Sequence, residues 1–451
     1  MRTWIKNPLA IWTGTDADAA NGIVVDGSKI AEIVAAGDEP AEKADQDFDA
    51  SGLVIIPGLI NCHHHFYQTL TRALPAALNK ELFDWLVSLY PVWAELTEQS
   101  IALSTELALA ELMLSGCSTA SDHHYLFTDR ITNAIDIQVE VVQKMGARVV
   151  LTRGSMSLGE KDGGLPPDRV VQDEEVILAE SERLIQAHHD VEPGAYVQIA
   201  LAPCSPFSVT QDLMRDSAVL ARKHGVLLHT HLGETDDENE YCIAKFGKRP
   251  LDHLDEIGWV ADDVWLAHGV RFDDEEVARL GNAGTGISHC PSSNMLLASG
   301  ICRAKELEAA GAPVGLGVDG SASNDSSNMM QEVRQAFLLQ RIRYGSASIS
   351  HEDALRWGTA GGAAVLHRPE LGTLAPGQAA DIAMFDLEEL RFSGSGDPVA
   401  ALVLCGAHKV RHLMIGGQWR VSGGELAGVD LPRLRARHQE LADQLAARVD
   451  Q

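Results

Sequence analysis

The sequence predicts an α/β fold: a (β/α)8 TIM barrel with a small β-sandwich domain that is built from both chain termini. Two observations lead to this prediction. Eight short apolar runs, separated by segments of helical character, occupy the middle of the 451-residue chain, and a closed (β/α)8 barrel needs eight such strands. Both ends of the chain instead carry β-branched runs interrupted by turn residues, as in NGIVVDGSKIAEIVAAG, which is typical of short antiparallel strands.

The chain is expected to divide into four parts. Residues 1–56 form the N-terminal part of the β-sandwich, and residues 57–370 form the barrel. The strand-like pattern returns in residues 371–430, in LGTLAPGQAADIAMFDL and KVRHLMIGGQWRVSGGEL, which predicts the C-terminal part of the sandwich. Residues 431–451 contain LPRLRARHQELADQLAARV, which predicts a terminal helix.

The barrel strands are expected in apolar runs that end in polar residues. In chain order these runs are LVIIPGLINCHH, CSTASDHH, ARVVLTRG, YVQIALAP, GVLLHTHLGE, VWLAHG, TGISHCP and PVGLGVDG. Amphipathic helices such as EEVILAESERLIQAHH and TQDLMRDSAVLARKHG lie between them. Because barrel enzymes carry their chemistry at the C-terminal ends of the strands, the polar residues that close these runs are candidate site residues.

Composition excludes several classes of partner. The net charge of −28 argues against nucleic acid and against an anionic membrane surface, since both require basic patches. No apolar stretch approaches the roughly 18 residues of a membrane-spanning helix, and the N-terminus MRTWIKNPLAIWTG lacks the apolar core of a signal peptide. The seven cysteines form no CxxC pair, which indicates free thiols. A cytoplasmic protein is expected.

Three consecutive histidines follow the first barrel strand, in NCHHHFYQTLTRA. On an extended segment His63 and His65 point to the same side, and His64 points away. The pair can therefore share one ion, although two histidines alone cannot close a metal site. The fifth strand ends in HTHLGE, where His229 and His231 again share one face.

Three further polar residues close barrel strands or follow them. Glu234 lies three residues beyond His231, where the chain turns into a loop. His268 ends the sixth strand in VWLAHG, and Asp319 ends the eighth in VGLGVDG. A barrel would bring all of these residues to one end, so the sequence predicts a metal-binding, acid–base site there.

The ordered motifs PGLINCHHH, HTHLGE, LAHG and GLGVDG resemble the amidohydrolase superfamily over nearly the whole chain. The branch that includes the cytosine and guanine deaminases holds one divalent metal with the HxH pair, a fifth-strand histidine and the eighth-strand aspartate. The resemblance therefore implies the ligands His63, His65, His231 and Asp319. Strand four, QIALAPCSPFS, lacks the lysine that bridges two metals in other members, so a single ion is expected. These donors suit Zn²⁺, and Fe²⁺ remains an alternative.

The resemblance also implies a division of catalytic roles. The metal lowers the pKa of bound water toward about 7, which gives a hydroxide that attacks an amino-bearing ring carbon. Glu234 would protonate the adjacent ring nitrogen, and Asp319 would carry the proton of the water to the departing amine. His268 would hydrogen-bond the hydroxide and orient it.

Substrate-binding residues are expected in the loops around these ligands. Gln68 can pair with a carbonyl and a ring NH together, Trp85 lies in a segment that could cover the site, and Cys204 ends strand four. HHHFYQTLTRA followed by ELFDWLVSLYPVWAELT resembles the 8-oxoguanine deaminases, which implies that 8-oxoguanine and water give urate and ammonia. A triazine aminohydrolase of the hydroxyatrazine type and an adenosine-type nucleoside deaminase are the alternatives. A non-catalytic metal-binding scaffold is disfavoured because every ligand is present. The partner is thus a small heterocycle, and homo-oligomerisation stays open.

Overall fold

The first six strands lie before the barrel and belong to two sheets. A computed structural model of the chain describes residues 1–449. In chain order the strands are β1 (Arg2–Lys6), β2 (Ala10–Ile11), β3 (Gly22–Asp26), β4 (Lys29–Val34), β5 (Gln46–Asp49) and β6 (Leu53–Pro57). A four-stranded sheet has the order β4-β3-β1-β5. Strand β2 pairs with β6 in the other sheet.

Eight parallel strands then close into a barrel, which confirms the predicted fold class. They are β7 (Leu59–Asn61), β8 (Cys117–His124), β9 (Arg148–Ser155), β10 (Val197–Pro203), β11 (Leu228–Leu232), β12 (Val264–His268), β13 (Gly286–His289) and β14 (Val314–Leu316). Strand β14 pairs with β7 and closes the ring. Almost every strand residue is buried, as expected where helices cover the outside of a parallel sheet.

The C-terminal strands complete the sandwich. They are β15 (Ile382–Asp386), β16 (His412–Ile415), β17 (Gln418–Ser422) and β18 (Glu425–Leu426). Together with β2 and β6 they form a six-stranded sheet of order β18-β17-β16-β15-β6-β2. A core shared by both sheets contains residues from both chain ends, among them Ile5, Ile55, Ile382 and Met414. The sandwich from both termini is therefore also confirmed.

Helices connect the barrel strands and cover their outer face. The α-helices are α1 (Leu82–Trp93), α2 (Glu98–Leu114), α3 (Ala134–Met145), α4 (Glu174–His188), α5 (Gln211–His224), α6 (Asp236–Phe246), α7 (Pro250–Glu256), α8 (Asp274–Ala283), α9 (Pro291–Leu296), α10 (Ala304–Ala310), α11 (Met329–Tyr344), α12 (His351–Arg356), α13 (Gly362–Val365), α14 (Pro398–Leu404) and α15 (Leu431–Val449). Short 3₁₀-helices span Phe66–Thr71, Pro75–Ala77, Glu160–Asp162, Asp168–Val170 and Leu390–Phe392, and a π-helical turn spans Trp357–Gly361. None of the helices in the described part combines the length and apolar character that a membrane crossing requires.

The predicted first barrel strand is broken in two by Gly58, so its expected continuity was wrong. The segment Leu53–Pro57 pairs with β15 in the sandwich, whereas Leu59–Asn61 enters the barrel. At Gly58 an added Cβ would lie 2.4 Å from Ser118 Oγ, so only glycine fits where the chain crosses between the two bodies.

The C-terminal helix α15 packs on the barrel rather than projecting from it. It contacts α1, α2 and the 3₁₀-helix Phe66–Thr71, which directly follows the three histidines. His438 Nε2 lies 3.0 Å from Thr69 Oγ1, and Leu434 and Leu445 are buried. The last two residues of the expected helix, 450–451, lie outside the described residues.

Candidate metal centre and active-site pocket

The polar strand ends meet at the C-terminal mouth of the barrel. Ligand atoms of His63, His65, His231 and Asp319 all lie within 4.8 Å of one another. His63 Nε2 lies 3.2 Å from Asp319 Oδ1, and His65 Nε2 lies 3.3 Å from the same oxygen. The Nε2 atoms of His65 and His231 are 3.2 Å apart. Ligands at about 2.1 Å from one ion lie roughly 3.0–3.4 Å from each other, so the spacing fits a single ion.

Hydrogen bonds behind the rings fix which nitrogens face this point. His65 Nδ1 lies 2.7 Å from the carbonyl oxygen of His123, and His231 Nδ1 lies 2.7 Å from that of Cys204. Carbonyl oxygens only accept, so both Nδ1 atoms carry hydrogen and both Nε2 atoms present lone pairs. Burial lowers the pKa of His231 to about 3, which keeps it a neutral ligand.

A cation is the group that this arrangement fits. Lone pairs of imidazole nitrogens and a carboxylate oxygen face one another in a buried site, which is repulsive without a positive charge between them. Within residues 1–449, His63 Nε2 has no hydrogen-bond partner. Three nitrogens and one oxygen are a donor set that suits Zn²⁺ or Fe²⁺. His64 points away from the site, as expected, and is buried with its ring against Phe66.

Asp319 is held in a strained but well-bonded conformation. Its φ of +62° lies in the left-handed region, which is unfavourable for a residue with a Cβ and is typical of functional sites. Ser293 Oγ donates to Asp319 Oδ2 at 2.6 Å, and Ser323 Oγ donates to the same oxygen at 3.3 Å. These bonds leave Oδ1 directed at the histidine nitrogens.

Glu234 lies at the same mouth, in buried surroundings that favour the protonated form of its carboxyl. Burial, followed by the charges of Asp319 and Glu238, raises the pKa of Glu234 well above its usual range. Its Oε2 lies 3.4 Å from His268 Nε2. A buried carboxyl that keeps its proton at neutral pH can act as a general acid.

His268 is oriented from behind by an amide. Asn294 Nδ2 donates to His268 Nδ1 at 3.1 Å, so the Nε2 of the neutral ring carries the hydrogen. Burial lowers the pKa of His268 to about 4, which favours that neutral form. His268 also has a positive φ, +77°, at the end of its strand. Its N–H can therefore donate to a group bound between it and Asp319.

A pocket opens over these residues, and Gln68, Trp85 and Cys204 line it as expected. Ala322 N donates to Gln68 Oε1 at 3.3 Å. Burial raises the pKa of Cys204 to about 12, so its thiol stays protonated. Tyr67, the neighbour of Gln68, is buried against Trp93 and His124.

Several lining residues were missed by sequence reasoning. They are mostly apolar or aromatic: Leu82, Leu86, Tyr90, Tyr125, Phe207 and Leu297. Three of them lie on α1, whose apolar residues have the same spacing in the sequence as those of a helix that packs on a core. Tyr125 had a usable signal, because it directly follows the polar end of strand β8.

Fold and site together define a metal-dependent hydrolase built on a (β/α)8 barrel. The chain belongs to the amidohydrolase family, whose family model matches residues 54–420.

Two relatives and one solved structure illustrate this similarity. The chain is 59% identical over 446 residues, 99% of both chains, to an 8-oxoguanine deaminase of Pseudomonas aeruginosa. It is 40% identical to the hydroxydechloroatrazine ethylaminohydrolase of Pseudomonas sp. strain ADP, over 84% of this chain and 80% of that one. A crystal structure of the atrazine chlorohydrolase of Arthrobacter aurescens TC1 complexed with zinc superposes with a TM-score of 0.92 at 30% identity, covering 98% of this chain and 100% of the other.

Proposed function

We propose that this protein hydrolyses 8-oxoguanine to urate and ammonia, with one divalent metal ion in the His63, His65, His231 and Asp319 site. The observation that carries the substrate assignment is the 59% identity to an 8-oxoguanine deaminase over 99% of both chains. The reaction consumes one water: its oxygen becomes the new carbonyl at C2 of the purine, and the amino group leaves as ammonia.

His63, His65, His231 and Asp319 would hold a divalent ion, which would lower the pKa of a bound water and so provide a nucleophile at neutral pH. Glu234 donates its proton to the ring nitrogen next to the attacked carbon, where negative charge develops. Asp319 takes one proton from the attacking water and delivers it to the amino group, which departs as ammonia. The second proton of the water returns to Glu234 as the new carbonyl forms. His268 donates its Nε2 hydrogen to the attacking oxygen and holds it in line with the ring.

The pocket supports a flat heterocycle with polar edges. Its apolar and aromatic wall includes Leu82, Trp85 and Phe207, which can pack against the faces of a ring. Gln68 and Cys204 offer polar contacts at the rim of the ring. Gln68 can both donate and accept, which matches the alternating carbonyl and NH groups of an oxidised purine.

The metal content tests the single-ion assignment. We expect one divalent ion per chain by elemental analysis, with Zn²⁺ as the native ion and Fe²⁺ as the alternative. The substitution His231→Ala should remove most of it, because only three of the four ligands remain. Two ions per active chain would contradict the assignment.

Steady-state kinetics on 8-oxoguanine and guanine tests the substrate. Guanine lacks the 8-oxo oxygen and the hydrogen on N7, so pocket groups that satisfy them would be left unpaired. We therefore expect kcat/KM for 8-oxoguanine to exceed that for guanine at least ~100-fold, with urate followed by its absorbance. Equal values would refute the substrate while leaving the metal site untouched.

A triazine is the second candidate because of the 40% identity to the hydroxydechloroatrazine ethylaminohydrolase. Amino-substituted triazines also carry their leaving group on a carbon between ring nitrogens, so the same acid–base groups could serve them. Hydroxyatrazine and an adenosine-type nucleoside therefore belong in the same kinetic comparison. A higher kcat/KM for hydroxyatrazine would transfer the assignment to that substrate class.

A further inference from the structure

The ring of His229 lies directly behind the proposed ligand His63. His229 is fully buried in β11, and its ring stacks on Trp265 with centroids 4.3 Å apart and planes 12° from parallel. It shares a strand face with His231, but their ring centroids are 6.3 Å apart because His229 lies one layer deeper in the barrel. The ring does not line the pocket, so it has no direct access to a substrate.

The carbonyl oxygen of Trp265 fixes the direction of the hydrogen bonds that link Trp265, His229 and His63. His229 Nδ1 lies 2.8 Å from the carbonyl oxygen of Trp265, which can only accept. The Nδ1 of His229 therefore carries the hydrogen, and its Nε2 presents a lone pair. This Nε2 lies 2.8 Å from His63 Nδ1, so His63 donates and keeps its own Nε2 free as a ligand.

His63 differs in this respect from the two other histidine ligands. His65 and His231 donate their Nδ1 hydrogens to main-chain carbonyls, which no substitution removes. His63 depends on a side chain instead. We infer that His229 is a positioning residue: it fixes the tautomer and ring orientation of His63 and so raises the affinity of the site for its divalent ion.

The competing explanation for the contact between His63 and His229 is a second metal ion that both residues bind. His63, His123 and His229 also form a group whose ligand atoms lie within 4.8 Å of one another. However, the 2.8 Å between His63 Nδ1 and His229 Nε2 is a hydrogen-bond length. Two ligands of one ion are separated by roughly 3.0–3.4 Å, so the geometry favours the hydrogen bond.

The test measures Zn²⁺ affinity by competition with a chelator in the absence of substrate. Loss of an outer hydrogen-bond partner typically costs about 10–100-fold in metal affinity, so His229→Leu should raise the Kd for Zn²⁺ by that factor. His229→Gln should recover most of it, because the side-chain oxygen can accept from His63 Nδ1. His253→Leu is the matched control. It removes a buried histidine that likewise stacks on an aromatic ring, that of Phe246, but lies outside the ligand cluster, and it should leave the Kd near that of the unmodified protein.

Three results would overturn the inference: an unchanged Kd in His229→Leu, no recovery in His229→Gln, or a second ion bound by the unmodified chain. Nitrogen NMR of the metal-free unmodified protein, labelled in histidine, covers the case of a variant that fails to fold. His63 should then show hydrogen on Nδ1, and hydrogen on Nε2 would refute the inference. The inference rests on His63 being a ligand as proposed. Because these readouts need no substrate, failure to deaminate 8-oxoguanine would leave them unchanged.

Discussion

The pKa values of two carboxyl groups in one site are shifted in opposite directions, with that of Asp319 lowered and that of Glu234 raised. Asp319 receives hydrogen bonds from Ser293 and Ser323, which stabilise a carboxylate. Glu234 is buried, and within the described residues its Oε1 has no hydrogen-bond partner. Such a separation supports the proposed roles of Asp319 as the base and Glu234 as the acid.

The substitution Glu234→Gln tests this division of roles. The amide cannot supply a proton, so turnover should fall at least ~100-fold, the usual scale for a positioned acid–base group. Metal content should stay at the unmodified level, because Glu234 is not among the four converging ligands. Glu240→Gln, an exposed acid on the neighbouring helix, is the control and should keep full turnover. Loss of metal from Glu234→Gln would make Glu234 a ligand instead.

Residue patterns predicted the side of the strand to which each histidine points, but not how far its ring lies from the mouth of the barrel. The period of two along an extended chain placed His63 and His65 on one side and His64 on the other, as the structure has them. The same period placed His229 and His231 on one face of the strand and did not indicate which of the two reaches the metal site. Only closure of the barrel decides which of the two reaches the mouth, and closure depends on contacts between strands distant in sequence.

The link between sandwich and barrel depends on a glycine at one strand end. A Cβ at Gly58 would lie 2.6 Å from the Cβ of Ser118 and 2.4 Å from its Oγ. Gly58→Ala should therefore lower the free energy of unfolding by about 1–3 kcal/mol, the usual cost of overpacking. Thermal melting of the variant measures this loss.

Two further variants separate crowding from a general effect of alanine. Gly396→Ala adds a Cβ with no atom within 4 Å and should melt like the unmodified protein. Adding Ser118→Gly to Gly58→Ala removes the crowded atoms and should restore part of the loss. An unaltered melting temperature for Gly58→Ala alone would refute the steric explanation.

The first turn of α6 contains a second acid, Glu238, whose pKa burial raises to about 8 from an ordinary 4.5. Its Oε2 accepts the backbone N–H of Glu234 at 3.0 Å. Because the folded protein holds this proton more tightly than the unfolded chain, its contribution to stability is complete below about 4.5 and is lost as the pH rises toward about 8.

Glu238→Gln should flatten this dependence, since its amide oxygen can still accept the N–H and never ionises. Between pH 5 and pH 8 the unmodified protein should lose stability on the order of 1 kcal/mol per pH unit more than the variant does. Melting temperatures across that range measure the difference, with Glu240→Gln as the exposed control on the same helix. Parallel curves for the unmodified protein and Glu238→Gln would contradict the prediction.

Most elements could be predicted because their patterns are local. The helices at Glu174–His188 and Gln211–His224 and the polar strand ends follow from apolar periodicity. The role of α1 in walling the pocket could not be predicted, because its apolar face looks the same whether it covers a core or a substrate. The expected domain boundary at residues 56 and 57 lies next to Gly58, but the apolar run continues through this glycine and so looked like one barrel strand.

At the scale of the whole molecule, a buried ion pair joins the barrel to the sandwich, and no local sequence pattern predicts it. Arg148 of β9 donates to both oxygens of Asp381, which precedes β15, at 3.2 and 3.1 Å. Gly416 N also donates to Asp381, at 2.7 Å. The side chains are only 1% and 4% exposed. Their separation of 233 residues explains why the sequence predicted a sandwich from both ends but not how it is attached.

Asp381→Ala should therefore lower the free energy of unfolding far more than the loss of a surface ion pair does. It leaves the Arg148 guanidinium buried without its counter-charge, and breaking a buried pair in this way costs about 3–5 kcal/mol. Asp47→Ala is the matched control: it removes an exposed partner of Lys6, 47% accessible, and should cost less than about 1 kcal/mol. The double variant Arg148→Met/Asp381→Leu should recover much of the loss, because it removes both charges and keeps apolar volume at the junction. Melting temperatures of the three variants decide the matter: if Asp381→Ala melts no lower than Asp47→Ala, the ion pair does not hold the sandwich to the barrel.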